Sequence, residues 1–190
     1  MGFALARAAA AAVFETVLVA GPVALRTPKG VRRTDIVSAR DLLAAVEAEI
    51  ARAAADGFEP VLVATAAVAD WRPAECAAAK LKKSAMDGTL RLVRNPDVLA
   101  TVRGARKIGF AAETGDLEAE ARRKCREKDL EFIVANDVTE KGCGFGTATN
   151  RVTIYRRDGS VLALPLMSKL AVARRIIREC GALAPAEARP

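Results

Sequence analysis

Apolar residues in this chain fall into two rhythms. Short uninterrupted runs at 16–20 (TVLVA), 61–64 (VLVA), 108–112 (IGFAA) and 132–135 (FIVA) predict buried strands. Longer segments carry apolar residues at helical spacing. Residues 1–12 are almost all Ala, Leu and Phe, which predicts a helix packed on most sides. In 39–56, Leu42, Leu43, Val46 and Ile50 share one face, Ser38 is the N-cap, Asp41 lies in the first turn and Gly57 is the C-cap. Asn95 as cap and Pro96 at the first position start another helix. A charged helix covers 117–128 and a terminal helix 168–179. Weaker strand signals lie at 34–37 and 90–93. Residues 150–155 alternate like a strand, Asp158-Gly159 makes a hairpin turn and 161–164 returns.

Strands alternating with helices predict an α/β fold, a doubly wound and mostly parallel sheet with helices on both faces and a C-terminal β-hairpin. Residues 1–180 form one domain, and 181–190, rich in Ala and Pro, a frayed tail. A doubly wound sheet normally opens on a strand whose following turn holds phosphate at the next helix's N-terminus. This chain begins on that helix, so the first strand and its loop are expected to be missing ahead of Met1. Gly142-Cys143-Gly144-Phe145-Gly146 has the glycines of a phosphate loop, but it leads into a strand rather than a helix.

The densest chemistry lies at 61–83. The strand there gives way to small, mixed residues from Thr65 to Pro73. Ligands in open α/β sheets bind outside the carboxyl ends of strands, and small side chains there let a ligand reach the backbone. Asp70 and Trp71, the single Trp of the chain, sit at that position. Ten residues beyond Asp70 comes the cluster Lys80-Leu81-Lys82-Lys83. A strand end, a carboxylate and a reachable set of lysines suit a phosphorylated ligand. They equally suit a strand, a turn and a solvated basic face, which is the commoner arrangement.

Composition narrows the classes. The 190 residues are 52% hydrophobic but only 4% aromatic, so the core is built from Ala, Val, Leu and Ile. A net charge of +7 suits small anionic substrates as well as nucleic acid. Single-strand binders add stacking aromatics to a basic groove, and the few scattered aromatics here argue against nucleic acid. The absence of histidine excludes Ser-His-Asp and Cys-His catalysis and His-ligated zinc. Cys76, Cys125, Cys143 and Cys180 form no C-x-x-C pair and read as reduced thiols of a cytoplasmic protein. No apolar run reaches membrane-spanning length.

Several short segments then combine. They are Met1-Gly2-Phe3-Ala4, Ala20-Gly21-Pro22-Val23, Ala66-Ala67-Val68-Ala69-Asp70-Trp71-Arg72 and Lys80-Leu81-Lys82-Lys83, followed by Asn95-Pro96-Asp97 and Gly109-Phe110-Ala111-Ala112-Glu113-Thr114. Ala135-Asn136-Asp137, Gly144-Phe145-Gly146 with Asn150, and Leu164-Pro165 with Ser168-Lys169 close the set. In order and spacing, over nearly the whole chain, the set resembles the phosphopantothenate–cysteine ligase family, the synthetase domain of the bifunctional bacterial coenzyme A enzyme.

The resemblance implies a Rossmann-like fold and a homodimer formed through the hairpin at 152–164. It implies a flavin-dependent decarboxylase domain fused ahead of the chain. It also implies a reaction in which the carboxylate of 4′-phosphopantothenate attacks the α-phosphorus of CTP with magnesium assisting. Pyrophosphate leaves, and the amine of cysteine then attacks the acyl-cytidylate and releases CMP. Such chemistry needs alignment and charge neutralisation more than a histidine base. The implied nucleotide contacts are Ala64, Thr65, Ala66, Asp70, Lys80, Pro96, Asp97, Val98, Leu99, Phe110, Lys124 and Lys128. Lys80 would stabilise the charge developing on transfer, and Ala67 would contact phosphopantothenate. The loop of Asn-Arg-Ser-Ser-Gly type that would complete the phosphopantothenate site is expected ahead of Met1 and is absent here.

Each residue has an ordinary alternative. Asp70 could cap a turn, Lys80 could be solvated, Phe110 could belong to the core, and Lys124 with Lys128 could be an exposed helix stripe. Two other functions compete with the ligase. One is a catalytically impaired nucleotide-binding or dimerisation fragment of the same enzyme. The other is a nicotinamide oxidoreductase, disfavoured because no G-x-G-x-x-G follows a strand.

Overall fold

The structure, a computed structural model, describes residues 1–77, 79, 88–113, 117–144 and 146–183. In chain order these form α1 (Gly2–Ala11), β1 (Thr16–Ala20), β2 (Val31–Asp35), α2 (Ala39–Ala55), β3 (Val61–Val63), β4 (Trp71–Pro73), β5 (Leu92–Arg94) and the single turn α3 (Val98–Thr101). They continue with β6 (Arg106–Glu113), α4 (Leu117–Glu127), β7 (Phe132–Asp137), β8 (Thr149–Asn150), β9 (Thr153–Arg156), β10 (Val161–Ala163), β11 (Met167–Ser168) and α5 (Lys169–Gly181).

Alternation along β7 sets the layers. Phe132 and Val134 face Leu5 and Ala8 of α1 and Val172, Ala173 and Ile176 of α5. Ile133 and Ala135 face the opposite side and pack on Ala121 and Cys125 of α4. A smaller cluster joins Val46 of α2 to Val98 and Val102 around α3, with Val19 and Leu62 against it. Helices therefore cover both faces, as the alternation of strands and helices requires. The main sheet runs β10-β9-β7-β6-β3. Within it β3, β6 and β7 are parallel, and β9 and β10 form the antiparallel hairpin at one edge. The parallel pair β1-β2 forms a ladder of its own.

Local chemistry explains most boundaries. Ser38 Oγ accepts from Asp41 N at 3.2 Å while Asp41 Oδ2 accepts from Ser38 N at 2.8 Å, a reciprocal cap that starts α2. Gly57, at φ 79°, ends it. Ser168 caps α5 through Ala171 N.

Several expectations are corrected. β2 lies at Val31–Asp35 rather than 34–37. Residues 71–73, read as irregular, form β4 by pairing with β5. The cap of α3 is Asp97, not Asn95, because Asp97 Oδ1 accepts from Ala100 N at 3.1 Å while the Asn95 side chain is engaged elsewhere. The strand expected over 150–155 splits: Asn150 pairs with Met167, whereas Thr153–Arg156 pairs with β7 and β10. Within the glycine-rich segment, Thr149 Oγ1 donates to the Gly142 carbonyl at 2.6 Å and Lys169 Nζ to the Gly144 carbonyl at 2.9 Å. The run at 61–64 is not buried: Val61 is 41% exposed. Of the tail expected at 181–190, Gly181 instead ends α5, and residues 184–190 lie outside the described residues.

An ion network ties α2 to its surroundings. Both Nη atoms of Arg32 donate to Glu49, and Arg52 donates to Glu49 at 3.1 Å and to Asp56 and Glu15 at 2.7 Å. The hydrogen bonds from Arg32 hold the Glu49 carboxyl down at about 2, against some desolvation and with help from Arg52. A carboxylate depressed in this way contributes stability above its unfolded value near 4.5, and loses it as pH falls toward 2. Its side chain is 22% exposed, so solvent screening limits the contribution to about 1 kcal/mol. Glu49→Gln is expected to lower stability by about that amount at neutral pH. The variant should also flatten the fall of the urea midpoint between pH 5 and 2. An unchanged slope would assign that titration to another group.

Candidate functional site

A cavity of about 940 Å³ opens beside the carboxyl end of β3. Ala64, Thr65 and Ala66 leave the strand along its wall, followed by Asp70 and Trp71. The wall continues through Arg94 and Asn95 into Pro96 and Asp97, and then Val98 and Leu99 of α3. Phe110 of β6 and Lys128, next after α4, complete this end. Segments distant in sequence therefore meet at the position where a parallel sheet presents a ligand.

Asn95 fixes this geometry. Its backbone N donates to the Asp70 carbonyl at 2.7 Å and its Nδ2 to the Ala69 carbonyl at 2.8 Å. Arg72 Nη1 donates to Asn95 Oδ1 at 3.1 Å. The β4-β5 ladder places Trp71 opposite Arg94, with the guanidinium carbon 5.1 Å from the ring centroid. The indole is half-exposed toward the cavity. The loop after β3 is thus held by a side-chain clamp rather than by a regular strand.

The turn at 96–99 is held from two sides. Lys128 Nζ lies 2.8 Å from Asp97 Oδ2, while Asp97 Oδ1 caps α3. Partial burial pushes the Asp97 carboxyl up, but the Lys128 ammonium and the Ala100 and Leu99 N–H groups outweigh it, and the carboxyl sits below its ordinary value. Behind the turn, Lys107 Nζ donates to the Leu99 carbonyl at 3.1 Å. Burial pushes the Lys107 ammonium down. Asp97→Ala, which removes cap and ion pair together, is expected to lower stability by about 1–2 kcal/mol in thermal unfolding. Asp97→Asn, which can still cap, should lose about half of that or less. Equal losses would mean that the ion pair alone holds the turn.

The structure brings together Ala64, Thr65, Ala66, Asp70, Pro96, Asp97, Val98, Leu99, Phe110 and Lys128. It does not bring Ala67 or Lys124 to the same wall. Lys124 lies 3.3 Å from Glu120, one turn earlier on α4. Lys80 falls outside the described residues. The sequence reading missed the Asn95 clamp and the Trp71–Arg94 pair. The available signal was two short segments rich in Trp, Leu and Val flanking a basic connection, the outline of a hairpin with a long loop.

Residues 1–183 match the model of the DNA/pantothenate metabolism flavoprotein C-terminal domain. The chain belongs to this family. It is 41% identical over 190 residues to the Coenzyme A biosynthesis bifunctional protein CoaBC of Vibrio vulnificus strain YJ016, covering 96% of this chain and 46% of that protein. The corresponding protein of Bacillus subtilis strain 168 is 42% identical over 188 residues, with 96% and 45% covered. The chain thus spans about half the length of the curated relatives it matches. Its fold is similar to the crystal structure of the C-terminal domain of CoaBC, with a TM-score of 0.74 and 36% identity over 94% of this chain and 79% of that one. A DNA/pantothenate metabolism flavoprotein from Streptococcus pneumoniae shares the fold at a TM-score of 0.73 and 19% identity, with 95% and 86% covered. The Rossmann-like, doubly wound architecture is common to this family.

Proposed function

We propose that this chain carries the phosphopantothenate–cysteine ligase step of coenzyme A biosynthesis. CTP binds at the end of β3, and the carboxylate of 4′-phosphopantothenate displaces pyrophosphate from its α-phosphorus. The amine of cysteine then displaces CMP from the acyl-cytidylate, forming the amide and releasing the amine proton. The observation that carries the proposal is the convergence of Thr65, Asp70, Asp97, Phe110 and Lys128 on one cavity at a parallel strand end.

Chemistry supports the assignment of roles. Backbone edges at Ala64, Thr65 and Ala66 can meet the nucleotide closely because their side chains are small. Phe110 offers an apolar face to ribose or base. Lys128 supplies positive charge once its pair with Asp97 rearranges around a phosphate. Among the described residues no group of three or more acidic, cysteine or histidine side chains gathers to cage a cation. Magnesium usually enters such sites through substrate phosphates with one or two carboxylates, and the exposed Asp70 is such a carboxylate. Bound there with the nucleotide, the ion would neutralise phosphate charge. The β9-β10 hairpin at the sheet edge suits self-association, and the length of the relatives suits a decarboxylase domain fused ahead of this one.

The test is pyrophosphate release from CTP with 4′-phosphopantothenate, with and without cysteine. Release without cysteine, limited to about one equivalent per site, and turnover with it are expected. No release with either CTP or ATP, together with no binding of either, would overturn the reading. The separation of the β1-β2 ladder from β3 favours a second reading, a nucleotide-binding fragment impaired in catalysis. It predicts CTP binding without pyrophosphate release.

A further inference from the structure

Among the described residues, the buried polar and charged ones are Lys107, Asn136 and Asn150, and of these only Lys107 carries a charge. It is 6% exposed. Alternation along β6 puts Ile108 and Phe110 on the sheet face covered by α1 and α5, and Lys107, Gly109 and Ala111 on the other. That second face is apolar, with Leu130, Ile133 and Leu99 packed on it. Gly109 has no side chain, and a Cβ there would stand 2.7 Å from Leu130 Cδ1 and 3.4 Å from Leu99 Cδ1. Leu99 of α3 therefore lies directly against the sheet, and Lys107 Nζ donates to its carbonyl at 3.1 Å.

Polar contacts hold the α3 turn from three directions. At its start, Asp97 Oδ1 accepts from Ala100 N and Asp97 Oδ2 meets Lys128, which follows α4. At its end, Arg103 Nη1 donates to the carbonyls of Ala100, Thr101 and Val102 at 2.6, 3.1 and 3.0 Å. The carbonyl of Leu99 goes to Lys107. This last bond ties the turn to β6, the strand that also carries Phe110 to the cavity. Pro96, Asp97, Val98 and Leu99 line the cavity, whereas Lys107 lies behind them and does not.

Stability does not account for a lysine at this place. Burial pushes its ammonium below its ordinary value; Asp129 and Asp97 pull the other way, and Arg103 and Arg157 add to the effect of burial. Both carboxylates are already paired, Asp129 with Arg157 at 2.6 Å and Asp97 with Lys128 at 2.8 Å. The ammonium thus lies among compensated charges, with a neutral carbonyl as hydrogen-bond partner. Replacing a buried charge by an apolar side chain of similar volume is often neutral or stabilising. An apolar side chain cannot, however, fix the direction of one carbonyl.

We propose that Lys107 is a positioning residue for the nucleotide. Through the Leu99 carbonyl it sets where the turn at 96–99 stands against β6, and with it the wall that this turn presents to the cavity. It acts through the backbone of Leu99 and not by contact with the ligand. A remote change that shifts a binding group by about 1 Å is enough to lose on the order of 100-fold in activity. The inference rests on the reading of the cavity as a nucleotide site.

The test is Lys107→Met, which keeps the unbranched stem and removes the donor. Calorimetric titration with CTP is expected to give a dissociation constant about tenfold higher or more than in the unmodified chain. The thermal midpoint should rise, or fall by no more than about 2 °C. The Ala100 amide, within the turn, should exchange about tenfold faster while the amides of β7 keep their rates. Equal CTP affinity in the two chains would overturn the proposal. So would an Ala100 amide that exchanges at its original rate, since the turn would then not depend on Lys107. A variant that fails to fold, or whose midpoint falls in step with its affinity, would make Lys107 a stability residue and overturn it too. Absence of CTP binding by the unmodified chain is a separate result, which would overturn the nucleotide reading and this proposal with it.

Discussion

Lys80→Gln is expected to slow acyl-nucleotide formation by on the order of 100- to 1,000-fold, with thermal unfolding unchanged. Glutamine keeps the reach and the hydrogen-bonding head but removes the charge. The attack places extra negative charge on the α-phosphate oxygens and on the departing pyrophosphate. A site without histidine must neutralise that charge with fixed cations. The described cations on the cavity wall are already engaged. Lys128 pairs with Asp97, Arg94 lies over Trp71, and Arg52 is held by Glu49, Asp56 and Glu15. The basic cluster at 80–83 lies in sequence between β4 and β5, whose ladder is fixed beside the cavity by Asn95 and Arg72. Trp71 of β4 and Arg94 of β5 line the cavity where the nucleotide is proposed to bind. Single-turnover pyrophosphate release reads the step directly. A rate within about threefold of the unmodified chain would remove Lys80 from the chemistry.

Elements whose boundaries rest on local chemistry were legible from the residues alone. Ser38, Asp41 and Gly57 bracket α2 because capping bonds are made within a few residues of one another. β6, α4 and β7 follow equally from apolar runs and a charged stripe. Pairing across distance was not legible. Nothing local in Trp71-Arg72-Pro73 specifies a strand, and its partner lies about twenty residues on, at Leu92–Arg94. The split at Asn150 depends on Met167, another distant partner. The site followed the same division. The small residues after β3 and the Pro96–Leu99 turn were readable as a strand end and a helix start. Asn95 looked like a cap and instead clamps the Asp70 loop, because its neighbour Asp97 meets α3 first. Lys124 and Lys128 share a helical spacing, yet only Lys128 reaches the cavity, since Glu120 engages Lys124.

Phe132→Ala is expected to destabilise the chain by about 3–5 kcal/mol, read as a shift of the urea midpoint at constant slope. The side chain is 1% exposed and meets α1 and α5 from the first residue of β7. Its removal takes apolar area out of contact and leaves a void between the sheet and helices α1 and α5, which a close-packed interior fills only in part. Total stabilities of single domains are about 5–15 kcal/mol, so this one change removes a large share. Val61→Ala makes the contrast. Val61 already keeps much of its surface in water, so in the 1–190 chain its truncation should lose about 1 kcal/mol or less. Equal losses at Phe132 and Val61 in the 1–190 chain would mean that the core is not centred on β7.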